Sequence, residues 1–128
     1  PVRVLQLAHH CWVEVAARFT GTPYVWGGKS RAGMDCSGLV QTALQACGIA
    51  SPRDTDMMER ALGAPAPPGA VRARGDLIFW KGHVGIMLDG ARLLHANAFH
   101  MEVTVEPLDA AAARIAESTG AITSVRRL

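Results

Sequence analysis

The spacing of apolar residues changes at one proline-rich segment, and this change constrains the fold more than any other feature. Before residue 64 the apolar residues recur at helical spacing, whereas after residue 70 they mostly alternate with polar residues, as in half-buried strands. The segment between them, Ala64-Pro-Ala-Pro-Pro-Gly-Ala70, is expected to break all regular structure and to form a stiff connection within one domain. Helices followed by an antiparallel sheet predict an α+β fold.

The first part of the chain contains three predicted helices. Apolar residues on one face predict a helix over Val4–Phe19, with Cys11 as a small core residue on that face. A second helix begins after Asp35, a residue type that caps helix N-termini, and ends before Gly48, which suits a helix C-terminus. A third, shorter helix is expected from about Thr55 to Leu62.

The second part of the chain predicts five strands and one late helix. The strands are expected at Asp76–Trp80, His83–Leu88, Arg92–Ala96, Met101–Glu106 and Ile122–Arg126, and an alanine-rich helix at Asp109–Glu117 precedes the last strand. Because neither part is large enough to fold alone, we expect residues 1–128 to form a single domain.

Composition argues against several classes of function. The net charge is only +2 and the basic residues are spread along the 128 residues, so nucleic-acid binding is not expected. No apolar run approaches the ~20 residues of a membrane-spanning helix. The three cysteines lack the spacing of a zinc site, so no metal or other cofactor is expected. The first residues lack the long apolar stretch of a secretory signal, which favours a cytoplasmic protein with reduced thiols.

Cys36 has the position that most strongly suggests chemistry. It would occupy the first turn of the helix after Asp35, where unpaired backbone N–H groups and the helix dipole favour an anion. We therefore expect a lowered thiol pKa and N–H groups that can stabilise an oxyanion. Gly33 and Gly38 flank this turn and would let a substrate approach the backbone closely. Cys47, by contrast, has the position of an ordinary buried helix cysteine.

A thiol nucleophile needs a base, and the base needs an orienting partner. His83 begins one predicted strand and His95 ends the next, so the two can be neighbours in an antiparallel hairpin. A two-residue Asp89-Gly90 turn would point their imidazoles to opposite faces. A three-residue Leu88-Asp89-Gly90 loop with a left-handed glycine would instead pair the two histidines directly. The sequence allows either turn, and His100 competes for the orienting role.

Three blocks of sequence occur in a recognisable order. The first is Asp35-Cys36-Ser37-Gly38-Leu39-Val40, preceded by Pro23-Tyr24-Val25-Trp26-Gly27-Gly28; the second is Gly75-Asp76-Leu77-Ile78-Phe79-Trp80 followed by His83-Val84-Gly85-Ile86; the third is Leu94-His95-Ala96. Together they resemble the NlpC superfamily of papain-like bacterial cell-wall cysteine peptidases, over about residues 13 to 105. The resemblance implies a papain-like fold, with N-terminal helices packed on the sheet. It also implies a hydrolase that acts on peptidoglycan stem peptides, or on muropeptides, through a thioacyl-enzyme.

The same resemblance implies roles for individual residues. The implied catalytic residues are Cys36, His83 and His95 as a triad, with Tyr24 near the thiol, where its hydroxyl can assist the oxyanion site. The residues implied to line the substrate groove are Asp35, Ser37 and Trp26.

The segment Pro52-Arg53-Asp54-Thr55-Asp56-Met57 is similar to a subgroup that cuts γ-D-glutamyl bonds to diaminopimelate or lysine. In that subgroup the residue matching Thr55 contacts the peptide. We expect Arg53 to pair with the free α-carboxylate of D-Glu, because a guanidinium suits carboxylate geometry, unless Arg53 and Asp54 instead cap the following helix. The subgroup commonly carries an N-terminal SH3-like module that reads the free amine of the substrate's L-alanine, and residues 1–128 do not include one.

Three alternatives stay open. In acyltransferases of the lecithin-retinol type the histidine block precedes the cysteine block, whereas here Cys36 comes first. Amidases of the CHAP type place an aromatic residue close after the cysteine, where this chain has Ser37-Gly38. A non-catalytic muropeptide-binding domain would typically have lost Cys36, His83 or the orienting residue, and none is missing. A cysteine peptidase is therefore the leading prediction.

Overall fold

A six-stranded antiparallel sheet forms the centre of the protein, whose computed structural model describes residues 11–67 and 69–128. Numbered along the chain, the strands are β1 (Lys29–Ser30), β2 (Gly33–Met34), β3 (Ala64–Pro65), β4 (Leu77–Trp80), β5 (His83–Met87), β6 (Arg92–Asn97), β7 (Glu102–Pro107) and β8 (Ser124–Arg127). β1 and β2 form a separate hairpin. The other six are ordered β3-β8-β4-β5-β6-β7, and every neighbouring pair is antiparallel.

Helices cover both faces of this sheet and create two apolar cores. Residues 11–17 are helical (α1), and the other helices are α2 (Cys36–Ala46), α3 (Thr55–Ala61) and α4 (Leu108–Ser118). The first three helices pack on one face and α4 packs on the other. β4 shows the division, because Leu77 and Phe79 enter the first core whereas Ile78 and Trp80 enter the second. This arrangement confirms the predicted α+β fold.

α2 begins and ends where its sequence predicts. At its start the Asp35 carboxylate accepts a hydrogen bond of 2.6 Å from the Gly38 N–H. At its end Gly48 adopts a φ of 77°, and the N–H groups of Gly48 and Ile49 donate to carbonyls of the last helical turn. Because α2 packs against β5, these caps hold its first residue, Cys36, beside the start of that strand.

The predicted element boundaries hold to within two residues among the described residues, and two predictions about particular positions are wrong. Ala64–Pro65 is not irregular, because it pairs with β8 as the edge strand of the sheet, a position that tolerates proline. Cys11 is exposed and does not enter the core, while Cys47 is half-buried at the C-cap of α2. Residues 4–10 of the first predicted helix lie outside the described residues.

Candidate active site

Cys36 lies at the N-terminus of α2, and its sulfur is enclosed by backbone and side-chain groups. The residue is only 8% exposed. Its Sγ lies 3.8 Å from the Thr55 hydroxyl and 3.9 Å from the carbonyl oxygen of Gly82. The backbone N–H groups of Ser37 and Val84 lie close enough to lower the pKa of the thiol. The thiol therefore sits where α2, α3 and the turn before β5 meet.

Burial raises the pKa of the Cys36 thiol, while the Val84 N–H and the Thr55 hydroxyl oppose that rise. The expectation of a lowered pKa is therefore wrong. The helix N-terminus does not outweigh the loss of hydration, and the Asp35 carboxylate raises the pKa further. Because the thiol is protonated near neutral pH, a base has to remove its proton during any nucleophilic reaction.

The two predicted triad histidines lie on the same face of the sheet, although they do not form a direct cross-strand pair. The register of β5 and β6 pairs Ile86 with Leu94, and its continuation places His95 opposite Gly85. His83 is therefore a diagonal neighbour of His95, two residues along β5. Of the two arrangements that the sequence left open, the one with both imidazoles on the same face is confirmed. The direct cross-strand pair of His83 and His95 that was predicted with it is wrong.

The loop between β5 and β6 explains this register. The Leu88 N–H donates to the Arg92 carbonyl, which leaves a three-residue loop of Asp89, Gly90 and Ala91, one position later than the predicted loop. Gly90 is not left-handed. Instead, Oδ1 of Asp89 accepts hydrogen bonds of 2.8 Å from the N–H groups of both Ala91 and Arg92, so an aspartate closes the turn for which a glycine was predicted.

Gly85 provides the space that joins the two imidazoles. A Cβ atom at this position would lie 2.6 Å from Cδ1 of Leu93 and 3.3 Å from Cβ of His95. With no side chain there, the His95 ring reaches across β5 and its Nδ1 lies 2.7 Å from Nε2 of His83. A larger residue at position 85 would crowd this contact.

The polar chain continues through two residues that the sequence-based prediction missed. Nε2 of His95 lies 2.7 Å from Oε2 of Glu106 on β7. Arg114 on α4 donates to both oxygens of that carboxylate, each at 2.8 Å. Mainly through these bonds, Arg114 lowers the pKa of Glu106 to about 2. Glu106 therefore remains ionised at neutral pH, directly behind His95.

These contacts assign the protons of both imidazoles. An ionised Glu106 can only accept a hydrogen bond, so Nε2 of His95 carries a proton. Nδ1 of His95 is then the acceptor, and Nε2 of His83 donates to it. Burial and the neighbouring His95 lower the pKa of His83 to about 3, and burial lowers the pKa of His95, so both rings are neutral near pH 7. A neutral His83 protonated on Nε2 has a lone pair on Nδ1.

His100 does not take the orienting position. Its backbone N–H donates to Oδ1 of Asn97 at 2.8 Å, and its Nδ1 lies 3.0 Å from the same oxygen. The nearest charged partner of its ring is Glu106, at 3.7 Å. The hydrogen-bond partner of His83 is His95, which agrees with the preference stated from the sequence.

Asp35, Ser37 and Arg53 form a hydrogen-bonded cluster beside the thiol. Arg53 donates to the two carboxylate oxygens of Asp35 at 3.1 and 3.0 Å and to the Ser37 hydroxyl at 2.7 Å. The Gly27 N–H donates to the same carboxylate at 3.1 Å. Arg53 does not cap α3, because the N-cap residue is Asp54. Its terminal nitrogens hold Asp35, and its Nε makes no hydrogen bond within the described residues.

This cluster forms one wall of a cavity of about 560 Å³ beside the thiol. Trp26, which is 86% exposed, and the half-buried Tyr24 also line it. Burial raises the pKa of Tyr24, so its hydroxyl stays protonated and can donate to an oxyanion. The predicted site residues that line this cavity are Tyr24, Trp26, Asp35, Cys36, Ser37, Arg53, Thr55 and His83, whereas His95 lies behind His83.

Gly33 and Gly38 allow close packing within the protein, while the substrate approach expected at these glycines stays a prediction. A Cβ atom at Gly38 would clash with the carbonyl oxygen of Gly28, and one at Gly33 would clash with Cγ2 of Val25. Gly38 thereby lets the loop before β1 lie against the first turn of α2, and Gly33 lets β2 lie against the same loop. The glycines thereby help to fix the backbone around Cys36.

Within residues 11–67 and 69–128, no group of three or more His, Cys, Asp or Glu side chains is arranged to hold a metal ion. In the same part of the chain, no helix combines the length and the apolar character needed to cross a membrane.

Comparison with known proteins places this site in a family. The family model of the NlpC/P60 family matches residues 21–116. The chain belongs to the NlpC/P60 family. Dipeptidyl-peptidase 6 of Lysinibacillus sphaericus is 38% identical over 99 residues, which cover 76% of this chain and 35% of that protein. A gamma-D-glutamyl-L-lysine dipeptidyl-peptidase of Bacillus subtilis (strain 168) is 38% identical over 92 residues, which cover 66% of this chain and 30% of that protein.

The chain thus spans about a third of the length of these two curated relatives. Among solved structures, the peptidoglycan hydrolase RipB from Mycobacterium tuberculosis superposes with a TM-score of 0.81 at 31% identity, covering 99% of this chain and 67% of that chain. The predicted family and fold class are therefore confirmed. The predicted enzyme class, a cysteine-type hydrolase, agrees with relatives that are named as peptidases.

Proposed function

We propose that this domain is a cysteine peptidase of peptidoglycan stem peptides and that it cleaves the γ-D-glutamyl bond to the third residue. The observation that carries the proposal is a chain of hydrogen bonds that runs from Arg114 through Glu106 and His95 to His83. His83, at the end of this chain, lines the same cavity as Cys36. This chain leaves an unprotonated ring nitrogen on His83, and His83 lines the cavity that holds the protonated thiol. A nucleophile, a base and an orienting group are the parts that acyl transfer requires.

The first step forms a thioacyl-enzyme. The Cys36 sulfur attacks the substrate carbonyl carbon while the thiol proton moves to Nδ1 of His83. The hydrogen bond to His95, with the ionised Glu106 beyond it, stabilises the positive charge that develops on His83. The N–H groups at the start of α2 and the Tyr24 hydroxyl stabilise the negative charge on the carbonyl oxygen. His83 then gives its proton to the leaving amine as the carbon–nitrogen bond breaks.

The second step regenerates the thiol. Water takes the place of the departed amine, gives a proton to His83 and attacks the thioester carbon. The carbon–sulfur bond breaks, the acid product leaves, and the proton on His83 returns to the Cys36 sulfur. The same two residues therefore act in both steps, with His83 alternating between base and acid.

Two observations support the choice of bond. A relative that is 38% identical is named a gamma-D-glutamyl-L-lysine dipeptidyl-peptidase. In addition, Arg53 lines the cavity and its Nε makes no hydrogen bond within the described residues, so it can donate to the free α-carboxylate of a γ-linked glutamate. Arg53 would then serve both Asp35 and the substrate.

The test is to map the bond that is cut. Purified protein is incubated with L-Ala-γ-D-Glu-diaminopimelate, with its N-acetylated form, and with N-acetylmuramoyl peptides, and the products are identified by mass. The proposal expects L-Ala-γ-D-Glu and free diaminopimelate from the first peptide, and no product with Cys36→Ala. Release of the peptide from muramic acid would instead identify an amidase, and the acetylated arm reports whether a free amine is required.

A further inference from the structure

A second cavity, on the α4 side of the sheet, meets the cavity that contains the thiol. It has a volume of about 320 Å³. The two cavities share Tyr24, Gly82 and His83, so they adjoin at these residues, and Cys36 lines only the first. We call the cavity lined by Cys36 and Arg53 the acyl-side cavity, and the one lined by Lys81 and Arg114 the amine-side cavity.

We propose that the amine-side cavity receives the third residue of the stem peptide and that Lys81 selects a residue with a side-chain carboxylate, such as diaminopimelate, over lysine. This inference rests on the proposed function. The thiol and the oxyanion donors at the start of α2 belong to the acyl-side cavity, so the substrate carbonyl has to lie there. His83 gives its proton to the leaving amine and lines both cavities, so the leaving residue extends into the amine-side cavity.

The two cavities differ in charge. The acyl-side cavity is lined by three carboxylates and one guanidinium, namely Asp35, Asp54, Asp56 and Arg53. The amine-side cavity is lined by two cations, Lys81 and Arg114, and by no carboxylate side chain. A substrate with its amine at one end and a carboxylate at the other therefore matches the groove in one direction.

Lys81 is the cation that can make this selection. Both terminal nitrogens of Arg114 are occupied by Glu106, and its guanidinium stacks on the Phe99 ring at 4.2 Å. Lys81 is exposed in the turn between β4 and β5 and takes part in none of the ion pairs of the described residues. The side chain of diaminopimelate carries a carboxylate beside the ammonium that it shares with lysine, and this carboxylate would give Lys81 a partner that lysine lacks.

Binding to a protein that cannot turn over separates this inference from the proposed function. In the Cys36→Ala background, two peptides are titrated by calorimetry: L-Ala-γ-D-Glu-diaminopimelate and L-Ala-γ-D-Glu-lysine, each with the α-carboxyl group of the third residue amidated. We expect the diaminopimelate peptide to bind about two- to fivefold more tightly, the size of an exposed ion pair. Lys81→Met should remove this preference. Lys29→Met, which removes the other lysine of the chain from a position on β1 outside both cavities, should preserve it.

The outcomes differ for the two proposals. Equal binding of the two peptides, or a preference that survives Lys81→Met, would overturn the assignment of the amine-side cavity. A preference that depends on Lys81, together with no cleavage of either peptide by the unsubstituted protein, would support the cavity and refute the proposed function. Cleavage of both peptides, with a ratio of kcat/KM that follows the binding preference, would support both.

Discussion

Replacing Glu106 by glutamine tests how much the carboxylate behind His95 contributes to catalysis. The His95 ring makes a hydrogen bond of 2.7 Å on each side, which places Oε2 of Glu106 roughly 7 to 8 Å from Nε2 of His83. At this distance, and at an effective dielectric constant of about 20, the carboxylate attracts a protonated His83 ring by about 2 kcal/mol. Arg114 remains in the variant and opposes the positive charge on His83. We therefore expect kcat of Glu106→Gln to fall about 30-fold.

Replacing Glu106 by methionine separates the charge from the hydrogen bond. Glutamine can keep an oxygen at the Oε2 position, which accepts from both His95 and Arg114. Methionine cannot, so the Nε2 proton of His95 loses its acceptor, at a further cost of about 1–3 kcal/mol, and the opposite tautomer of His83 becomes accessible. We expect kcat of Glu106→Met to lie about tenfold or more below that of Glu106→Gln.

The assay is kcat on the stem peptide at saturating concentration near pH 7, with circular dichroism and thermal unfolding to verify that each variant is folded. Glu102→Gln provides the matched control, because Glu102 is an exposed glutamate at the start of the same strand, β7. A folded Glu106→Gln within about threefold of the unsubstituted protein would refute the electrostatic role. Equal rates for the glutamine and methionine variants would refute the tautomer assignment.

Three further predictions follow from the geometry. His95→Gln should keep roughly tenfold more kcat than His95→Ala, because its amide can accept from His83 and donate to Glu106; equal rates would contradict the orienting role. The acid limb of kcat/KM should lie below about pH 6, since burial and His95 lower the pKa of His83 and activity is lost as the pH falls through that pKa. A midpoint at or above 6.5, the usual value, would contradict this. Gly85→Ala should lower both Tm and kcat, because its Cβ would lie 3.3 Å from that of His95. Gly90→Ala, in the loop at the far end of the hairpin, is the control and should leave kcat unchanged.

The elements of the fold that could be predicted are those with local signals. Asp35 and Gly48 mark the ends of α2 by chemistry that acts within a few residues, and both predictions are confirmed. The strands from β4 onward were predicted from the alternation typical of half-buried strands, although β4 to β6 are in fact buried on both faces, between two cores. The pairing of Ala64–Pro65 with β8 could not be predicted, because it depends on a partner about 60 residues away and on the tolerance of an edge strand for proline.

The parts of the site that were missed depend on contacts between distant elements. The hairpin register follows from the Asp89 carboxylate accepting two backbone N–H groups, an arrangement that the sequence allows but does not require. The raised pKa of Cys36 follows from burial, which a helix-terminal position alone does not reveal.

The sequence contained a weak signal for Glu106. Polar and apolar residues alternate along its predicted strand, so Glu106 shares one face with two other polar residues, Glu102 and Thr104. A second weak signal is that Arg114 is the only basic residue of α4. The pairing of the two depends on how α4 lies across β7, and no local pattern specifies that.

Covalent trapping with a substrate-shaped electrophile tests the central claim most directly. The reagent is L-Ala-γ-D-Glu with its γ-carboxyl group converted to a diazomethyl ketone, and the modified residue is found by digestion and mass spectrometry. We expect one adduct, on Cys36, which forms much more slowly in His83→Ala and more slowly with the isomer that carries the reactive group on the α-carboxyl. An adduct on Cys11 or Cys47, or equal reaction of the two isomers with Cys36, would contradict a γ-D-glutamyl peptidase that uses this thiol.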